Sequence, residues 1–231
     1  MNGKLQTQLT QILPLERLLT RSIDRVAYAS DASFYRLIPQ AVVQPNSIPE
    51  IQALFRFSQE HKIPLTFRAA GTSLSGQAIT DGILVDISKH WYNMGIEQEG
   101  QFVRVQPGVI GGIINQFLQP YHRRIGPDPA SINTCMIGGI LANNASGMCC
   151  GVSQNAYYTL ASLTVVLPNE LCLDTSSSEA ETLLQEEAPT LAQGLLTLRE
   201  KILENPELQQ KIRTKYQIKN TTGYSLNAFL D

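Results

Sequence analysis

Arg68-Ala69-Ala70-Gly71-Thr72-Ser73-Leu74-Ser75-Gly76-Gln77 is a small-residue stretch that directly follows a short apolar run, Ile63-Pro64-Leu65-Thr66-Phe67. The apolar run predicts a strand, and the small residues after it predict a loop. Glycines at 71 and 76 permit backbone angles closed to other residues, and the small side chains between them let an anion approach consecutive main-chain N–H groups. Arg68 would add positive charge from the rim. Two explanations are open at this point, a phosphate cradle and an ordinary glycine turn after a strand. A second glycine-rich run, Met136-Ile137-Gly138-Gly139-Ile140-Leu141-Ala142-Asn143-Asn144-Ala145-Ser146-Gly147, favours the cradle. Its glycines and tandem asparagines weaken both helix and strand, so a short helical turn that admits a bound ring and diphosphate explains it better than a core element. The competing explanation is a tightly packed helix-on-strand contact.

Around these runs the pattern resolves into elements. Ala41-Val42-Val43-Gln44-Pro45 predicts a strand, Ser47 with Pro49-Glu50 an N-cap and helix start, and apolar positions 51, 54, 55 and 57 a helix to about Glu60. With the 63–67 strand, the loop and a further strand at Gly82–Ile87 after the Asp81-Gly82 turn signal, residues 41–88 form a β-α-β-loop-β unit. Before it, residues 4–21 carry leucine and isoleucine at near-helical spacing, interrupted by Pro14, and predict a packing arm. Residues 24–36 are polar and aromatic by turns without periodicity, and predict mostly loop. The composition shift near 93–100 marks the passage to a second lobe, opened by the strand Phe102–Val105. A helix at about 110–118 and a proline-held ordered loop over 123–131 follow. Residues 160–174 predict a hairpin turning at Pro168-Asn169-Glu170. Residues 178–210 predict helix broken at Asn205-Pro206, with Glu181, Glu186 and Glu187 on its outer face. The expected division is a helical arm over 1–36, a first lobe over 37–93 and a second lobe over 94–231.

The chain has 231 residues, enough for one large domain or two small ones, and the expectation is a single two-lobed unit. A formal charge of −2 gives no global basic field, which argues against nucleic acid and for small ligands. No apolar run of about 18 residues is present, the length a membrane-spanning helix needs. The N-terminus also lacks a signal-peptide layout, so the chain reads as cytoplasmic, with peripheral attachment to the inner face of a membrane left open. Cys135, Cys149, Cys150 and Cys172 form no Cys-x-x-Cys pair, and with His61, His90 and His122 they give no metal-ligand spacing. They read as reduced thiols with structural roles.

Taken together, Arg68–Gln77 and the segment Ile125–Gly151 closely resemble the FAD-linked oxidase family. The second segment contributes Gly126-Pro127-Asp128-Pro129-Ala130-Ser131, Ile137-Gly138-Gly139, Asn143-Asn144-Ala145-Ser146-Gly147 and Cys149-Cys150-Gly151. That family shares the fold of vanillyl-alcohol oxidase and p-cresol methylhydroxylase. The resemblance is strongest to D-lactate dehydrogenase, D-2-hydroxyglutarate dehydrogenase and the glycolate oxidase FAD subunit, especially the long forms fused to an iron–sulfur domain. It runs from about Asp31 through Thr221-Thr222-Gly223-Tyr224-Ser225.

The resemblance implies an α+β, two-lobed FAD-binding domain of the p-cresol methylhydroxylase type, with a small β-α-β lobe and a larger mixed or antiparallel sheet lobe flanked by helices. It implies that Gly71, Thr72, Ser73, Leu74, Gly76 and Gln77 wrap the FAD diphosphate and that Pro107 and Gly108 line the adenosine side. Pro127, Asp128 and Ser131 would lie along the dinucleotide, and Gly138, Gly139, Asn144, Ser146 and Gly147 would complete the diphosphate and flavin pocket. One relative in the broader fold carries a flavin-linked histidine where this chain has Thr72, so the FAD is expected to be non-covalent. For the complete enzyme the resemblance implies oxidation of a D-2-hydroxy acid, with hydride passing from C2 to flavin N5. Electrons would then go to a quinone, a cytochrome or an iron–sulfur domain.

The family's later, cap-like domain supplies the histidines and arginine that bind the hydroxy acid, and no motif of that kind lies in residues 1–231. The chain therefore looks like the C-terminally truncated, N-terminal part of a longer enzyme, inactive alone and without an identified catalytic residue. The alternatives are a non-catalytic FAD-binding module or subunit serving a partner oxidoreductase, and a cofactor-free scaffold.

Overall fold

Alternation of polar and apolar residues is absent from Ala41–Val43 and Ile83–Asp86, and the computed structural model, which describes residues 3–147, 150–218 and 225–231, buries every residue of both strands. Uninterrupted burial is the signature of parallel strands covered on both faces. By its contacts the chain divides into two compact units, Met1–Arg124 with Ser131–Gly139, and Ile125–Ala130 with Ile140–Asp231.

The first unit begins with α1 (Gly3–Leu9), a single helical turn at Leu15–Arg17, β1 (Leu18–Leu19) and α2 (Ser22–Ala27). Then come β2 (Ala41–Val43), α3 (Ile48–His61), β3 (Leu65–Arg68) and β4 (Ile83–Asp86). The sheet order is β1-β2-β4-β3, with β2 and β3 both parallel to β4 and β1 antiparallel to β2. Parallel neighbours need a crossover, and α3 supplies it between β2 and β3. Its start matches the expected signals, with Ser47 extended at the N-cap and proline in the first turn, and it buries Ile51, Leu54 and Phe57 on one face. It ends where Lys62 turns left-handed (φ 53°).

The N-terminal arm differs from its helical expectation. Leu5, Leu9, Leu13 and Leu18 are all buried, but the last of them sits in β1, paired with Val43, so the arm completes the sheet as an edge strand. Arg17 fastens it there: its guanidinium donates to both carboxylate oxygens of Glu50 at 2.6 and 2.5 Å, and to Gln44 O at 3.1 Å.

The composition shift at 93–100 is itself structured, as β5 (Met94–Glu97), which pairs antiparallel with β6 (Phe102–Val105). The sequence obscured it because Gly95 and the left-handed Gln98 and Glu99 interrupt any periodic signal. After β6 comes α4 (Gly111–Leu118). By contacts these elements belong to the first unit, Met1–Arg124 with Ser131–Gly139. The physical tie is Trp91, whose carbonyl accepts from Gly108 N at 2.6 Å and whose indole N–H donates to Pro45 O at 2.7 Å.

The chain passes from the first unit to the second within α5 (Ile137–Ala142). The second unit continues with α6 (Ala156–Thr159) and the hairpin β7 (Thr164–Val166) and β8 (Cys172–Asp174), turning through Glu170 at φ 71°. Three helices complete it, α7 (Ala180–Glu187), α8 (Pro189–Leu203) and α9 (Pro206–Tyr216). Asn205 caps α9 by accepting Leu208 N at 3.0 Å, which explains the predicted break there. A further break falls at Ala188-Pro189, where proline opens α8. Ala156, Leu173, Ala192, Ile202 and Ile212 are the buried apolar residues of α6 to α9 and the hairpin among the described residues. Glu181, Glu186 and Glu187 are exposed, as expected. Cys135 and Cys150 are buried free thiols and Cys172 is half-buried, while Cys149 and Thr221–Tyr224 lie outside the described residues.

Candidate functional site

β3 delivers the chain into the 69–77 loop at the carboxyl end of the parallel strands, the place where open α/β sheets bind ligands. Gly71 (φ 68°) and Gly76 (φ 74°) are both left-handed, so these two positions use the freedom that glycine alone provides without strain. Ser73 Oγ organises the interior of the loop. It donates to Gln77 Oε1 at 2.9 Å and accepts from Ser75 N at 3.2 Å and Gln77 N at 3.3 Å. Among the described residues, nothing accepts a hydrogen bond from the N–H groups of Gly71, Thr72, Ser73, Leu74 or Gly76. No carboxylate belongs to the loop.

Arg68 is differently placed from the expected rim cation. Its Nη1 donates to the carbonyls of Tyr28 (3.2 Å) and Ser30 (2.9 Å), and its guanidinium lies 5.5 Å from the Tyr28 ring centroid. A Cβ built at Gly71 would lie 2.6 Å from Arg68 Nε and Nη2, so the guanidinium edge is turned onto Gly71. Tyr28 is held in turn by Asp86, which is 1% exposed at the end of β4 and accepts from Tyr28 OH (2.7 Å), Gln44 Nε2 (3.0 Å) and Ser88 N and Oγ. Burial and the bond to the Asp86 carboxylate push the Tyr28 phenol up to about 12, so it stays a donor at any physiological pH.

The segment before β2 touches the loop again and again. Ala32 N donates to Gly71 O at 3.0 Å, and a Cβ at Gly76 would meet Tyr35 Cδ2 at 3.0 Å. Asp31 accepts from Ser33 N (2.9 Å) and from Ala78 N (3.3 Å), just past the loop. Burial pushes the Asp31 carboxyl up, but the bonds from Ser33 and Ala78 and the charge of Arg68 outweigh it and hold the group below its usual value. The sequence predicts mostly loop over 24–36; α2 takes up its first residues, and the signal for the part that touches the 69–77 loop is the Asp31-Ala32-Ser33 triplet, an Asx-turn pattern.

Ile87, immediately after β4, joins the loop to the other candidates of the first unit. Its N–H donates to Arg68 O at 3.0 Å, its carbonyl lies 2.8 Å from a Cβ built at Gly108, and its Cδ1 lies 3.4 Å from one built at Gly138. Gly138 N donates to Pro107 O at 2.9 Å, and its own Cβ would meet Pro107 Cβ at 2.8 Å. Gly108 and Gly138 are therefore required by close packing among Ile87, Trp91 and Pro107. Gly139 has no such requirement: it is exposed, and a Cβ there would meet nothing within 4 Å. The Ser131 carbonyl, also in this unit, accepts from Thr134 N and Cys135 N, both at 2.8 Å.

Pro127, Asp128, Asn144, Ser146 and Gly147 fall in the second unit. Gly147 packs on the Asp128 backbone so closely that any Cβ would overlap that carbonyl. Asn144, left-handed at φ 41°, donates to Ser225 Oγ at 2.6 Å and accepts from Tyr157 N at 3.0 Å, so its amide is committed to holding the chain. Pro127 is buried, and Ser146 is half-buried with no hydrogen-bond partner for its hydroxyl among the described residues.

Residues 39–176, more than half of the chain, match the family model described as an FAD binding domain. The chain belongs to this FAD-binding family. It is 31% identical over 173 residues to the D-2-hydroxyglutarate dehydrogenase of Haemophilus influenzae, an overlap of 73% of this chain and 17% of that protein. Against the enzyme of the same description from Pantoea ananatis it is 30% identical over 223 residues, 91% of this chain and 22% of that one. The glycolate oxidase subunit GlcD of Escherichia coli K12 is 33% identical over 145 residues, covering 62% and 29%. The chain thus spans about a fifth of the length of the two dehydrogenases and under a third of GlcD. Among solved structures, p-cresol methylhydroxylase superposes with a TM-score of 0.61 at 16% identity over 78% of this chain and 38% of the other. Alkyldihydroxyacetonephosphate synthase gives 0.64 at 17% identity, over 81% and 37%. These likenesses establish the fold as the p-cresol methylhydroxylase type, and the family establishes FAD as the cofactor.

The 69–77 loop fits that cofactor's diphosphate on its own geometry. Left-handed Gly71 and neighbouring N–H groups that have no partner among the described residues are features that backbone anion nests use, and such nests need few lysines.

Proposed function

We propose that this chain is the FAD-holding part of a flavin-dependent dehydrogenase acting on D-2-hydroxy acids of the D-lactate and D-2-hydroxyglutarate kind. The observation that carries it is the left-handed Gly71 with its run of unpaired N–H groups at the carboxyl end of β3, in a chain whose relatives are described as dehydrogenases of such acids. The backbone N–H groups of Gly71, Thr72, Ser73, Leu74 and Gly76 bind the diphosphate, with the Ser73–Gln77 bond fixing their direction. Gly139 leaves bare surface on α5 for the dinucleotide to approach. Pro107, Gly108 and Gly138 shape the wall beside it. In the second unit the Ser146 hydroxyl has no partner among the described residues. There Gly147 packs on the Asp128 backbone next to Pro127, and Asn144 ties Ser225 to Tyr157.

Bound FAD would supply the acceptor, at N5, for hydride leaving C2 of the substrate. Thr72 has no nucleophile of the histidine kind, so the cofactor is dissociable. Of the three histidines, His61 is occupied by Gln8 (3.2 Å) and stacks edgewise on Phe57, and none is assigned to substrate. Residues 1–231 alone therefore bind FAD without turning over a hydroxy acid. The substrate groups and the electron acceptor, whether quinone, cytochrome or iron–sulfur domain, come from elsewhere.

The test is a titration of the purified chain with FAD, followed by acid precipitation and then anaerobic addition of D-lactate or D-2-hydroxyglutarate. Saturable binding, flavin released into the acid supernatant, and no bleaching of the chain alone are the expected results. Absence of FAD binding refutes the proposal, and covalently retained flavin refutes the dissociable site. The match to GlcD, a protein described as a subunit, favours a second arrangement, in which the chain serves a partner oxidoreductase. Bleaching by the D but not the L acid, in the protein isolated from its source, separates a dehydrogenase from a passive module.

A further inference from the structure

We infer that residues 28–36 are a clamp that holds the Gly71–Gln77 loop in its ligand-ready form, and that Arg68 is the clamp's positioning residue and not a phosphate ligand. This rests on the FAD proposal for the loop.

Each contact acts at a point where the loop would otherwise move. At its entry, Arg68 Nη1 is shared between the carbonyls of Tyr28 and Ser30, and the Nε–Nη2 edge is covered by Gly71. Ala32 N fixes the Gly71 carbonyl from the other direction. At its exit, Asp31 holds Ala78 N, and Tyr35 lies against Gly76. The clamp is itself anchored, because Tyr28 OH reaches the buried Asp86 at the end of the central strand. With both ends fixed, the five unpaired N–H groups between them keep one orientation, and binding a diphosphate no longer has to order the loop. The cation of Arg68 serves this by satisfying carbonyls that would otherwise compete for the loop's N–H groups.

Two variants test the clamp at opposite ends of the loop, Arg68→Met and Asp31→Ala, each checked for folding by circular dichroism. In FAD-free protein, exchange of the hydrogen-bonded amides of Ala32, Ser75 and Gln77 should quicken by about tenfold or more in both, since local opening sets the rates of bonded amides. Unchanged exchange in both overturns the inference whether or not FAD binds. FAD affinity, read by quenching of flavin fluorescence, should weaken by about tenfold, while its dependence on ionic strength stays that of the parent protein. A flattened salt dependence in Arg68→Met would mean that the guanidinium touches phosphate directly, which overturns its positioning role.

The pair Arg68→Met and Gly71→Ala supplies a further check, because the added methyl and the guanidinium compete for the same space. Gly71→Ala should weaken FAD binding less in the Arg68→Met background than in the parent; strict additivity contradicts the contact. Should Arg68→Met fail to fold, Asp31→Ala and its amide exchange decide alone. A parent protein that binds no FAD, yet shows the exchange response, sinks the FAD proposal and leaves the clamp standing.

Discussion

Gly139→Ala separates a glycine kept for the fold from one kept for a ligand. Gly139 lies in α5, is exposed, lacks a left-handed φ and would have nothing within 4 Å of an added methyl. On the protein alone the substitution is therefore favourable, since replacing glycine by alanine inside a helix gains about 0.5–1 kcal/mol. For a chain of this size that corresponds to a rise in Tm of about 1–4 °C. If the dinucleotide lies against α5, the methyl stands where it must approach. Losing one or two N–H bonds to a charged phosphate oxygen, at about 1.5–3 kcal/mol each, weakens binding by roughly tenfold to several thousandfold or more. Differential scanning fluorimetry without FAD gives the first quantity, and a fluorescence titration gives the second. The expected result is a protein that is more stable and binds worse. An unchanged Kd beside a raised Tm removes α5 from the cofactor site, and a lowered Tm shows that Gly139 is already packed against protein.

Gly71→Val should do the reverse on stability, because a β-branched residue at φ 68° is strained and its side chain displaces the Arg68 guanidinium; Tm should fall and FAD binding should vanish, and retained affinity would contradict the cradle. Ser75→Ala removes a hydroxyl outside the Ser73 network and should cost about 1 kcal/mol of FAD binding at most, again by titration. Acid should loosen the N-terminal arm. The Glu50 carboxyl is pushed up by burial but pulled further down by Arg17 and by Asn46 N–H, so its folded pKa lies below the ordinary value. Its contribution is thus complete above the ordinary carboxylate range of about 4.3 and is lost as pH falls through the lowered folded value. Urea melts at descending pH should show this loss in the parent and a smaller one in Glu50→Gln; equal acid sensitivity refutes it.

What could be read from the sequence was whatever a residue settles with its near neighbours. The 41–88 unit was legible because β-branched runs, a Ser-x-Pro helix start and a glycine turn each act within a few residues, and all three agree. The left-handed Gly71 and Gly76 were legible for the same reason. What escaped depends on partners far along the chain. Leu18 and Leu19 continue a helical spacing and become a strand only because Val42 and Val43 offer an edge. Gly108 and Gly138 looked like one more pair of ligand-facing glycines, yet the first is pressed against the carbonyls of Trp91 and Ile87 and the second against Pro107. Asn144 carried a motif resemblance, and its amide turns out to span Ser225 and Tyr157. A glycine-rich motif therefore mixes two kinds of residue that sequence cannot sort, those that make room for the protein's own backbone and those that make room for something else. Space left around an added Cβ identifies the first kind, and by that criterion Gly108, Gly138 and Gly147 belong first to the fold, while Gly139 is left open to the test that Gly139→Ala makes.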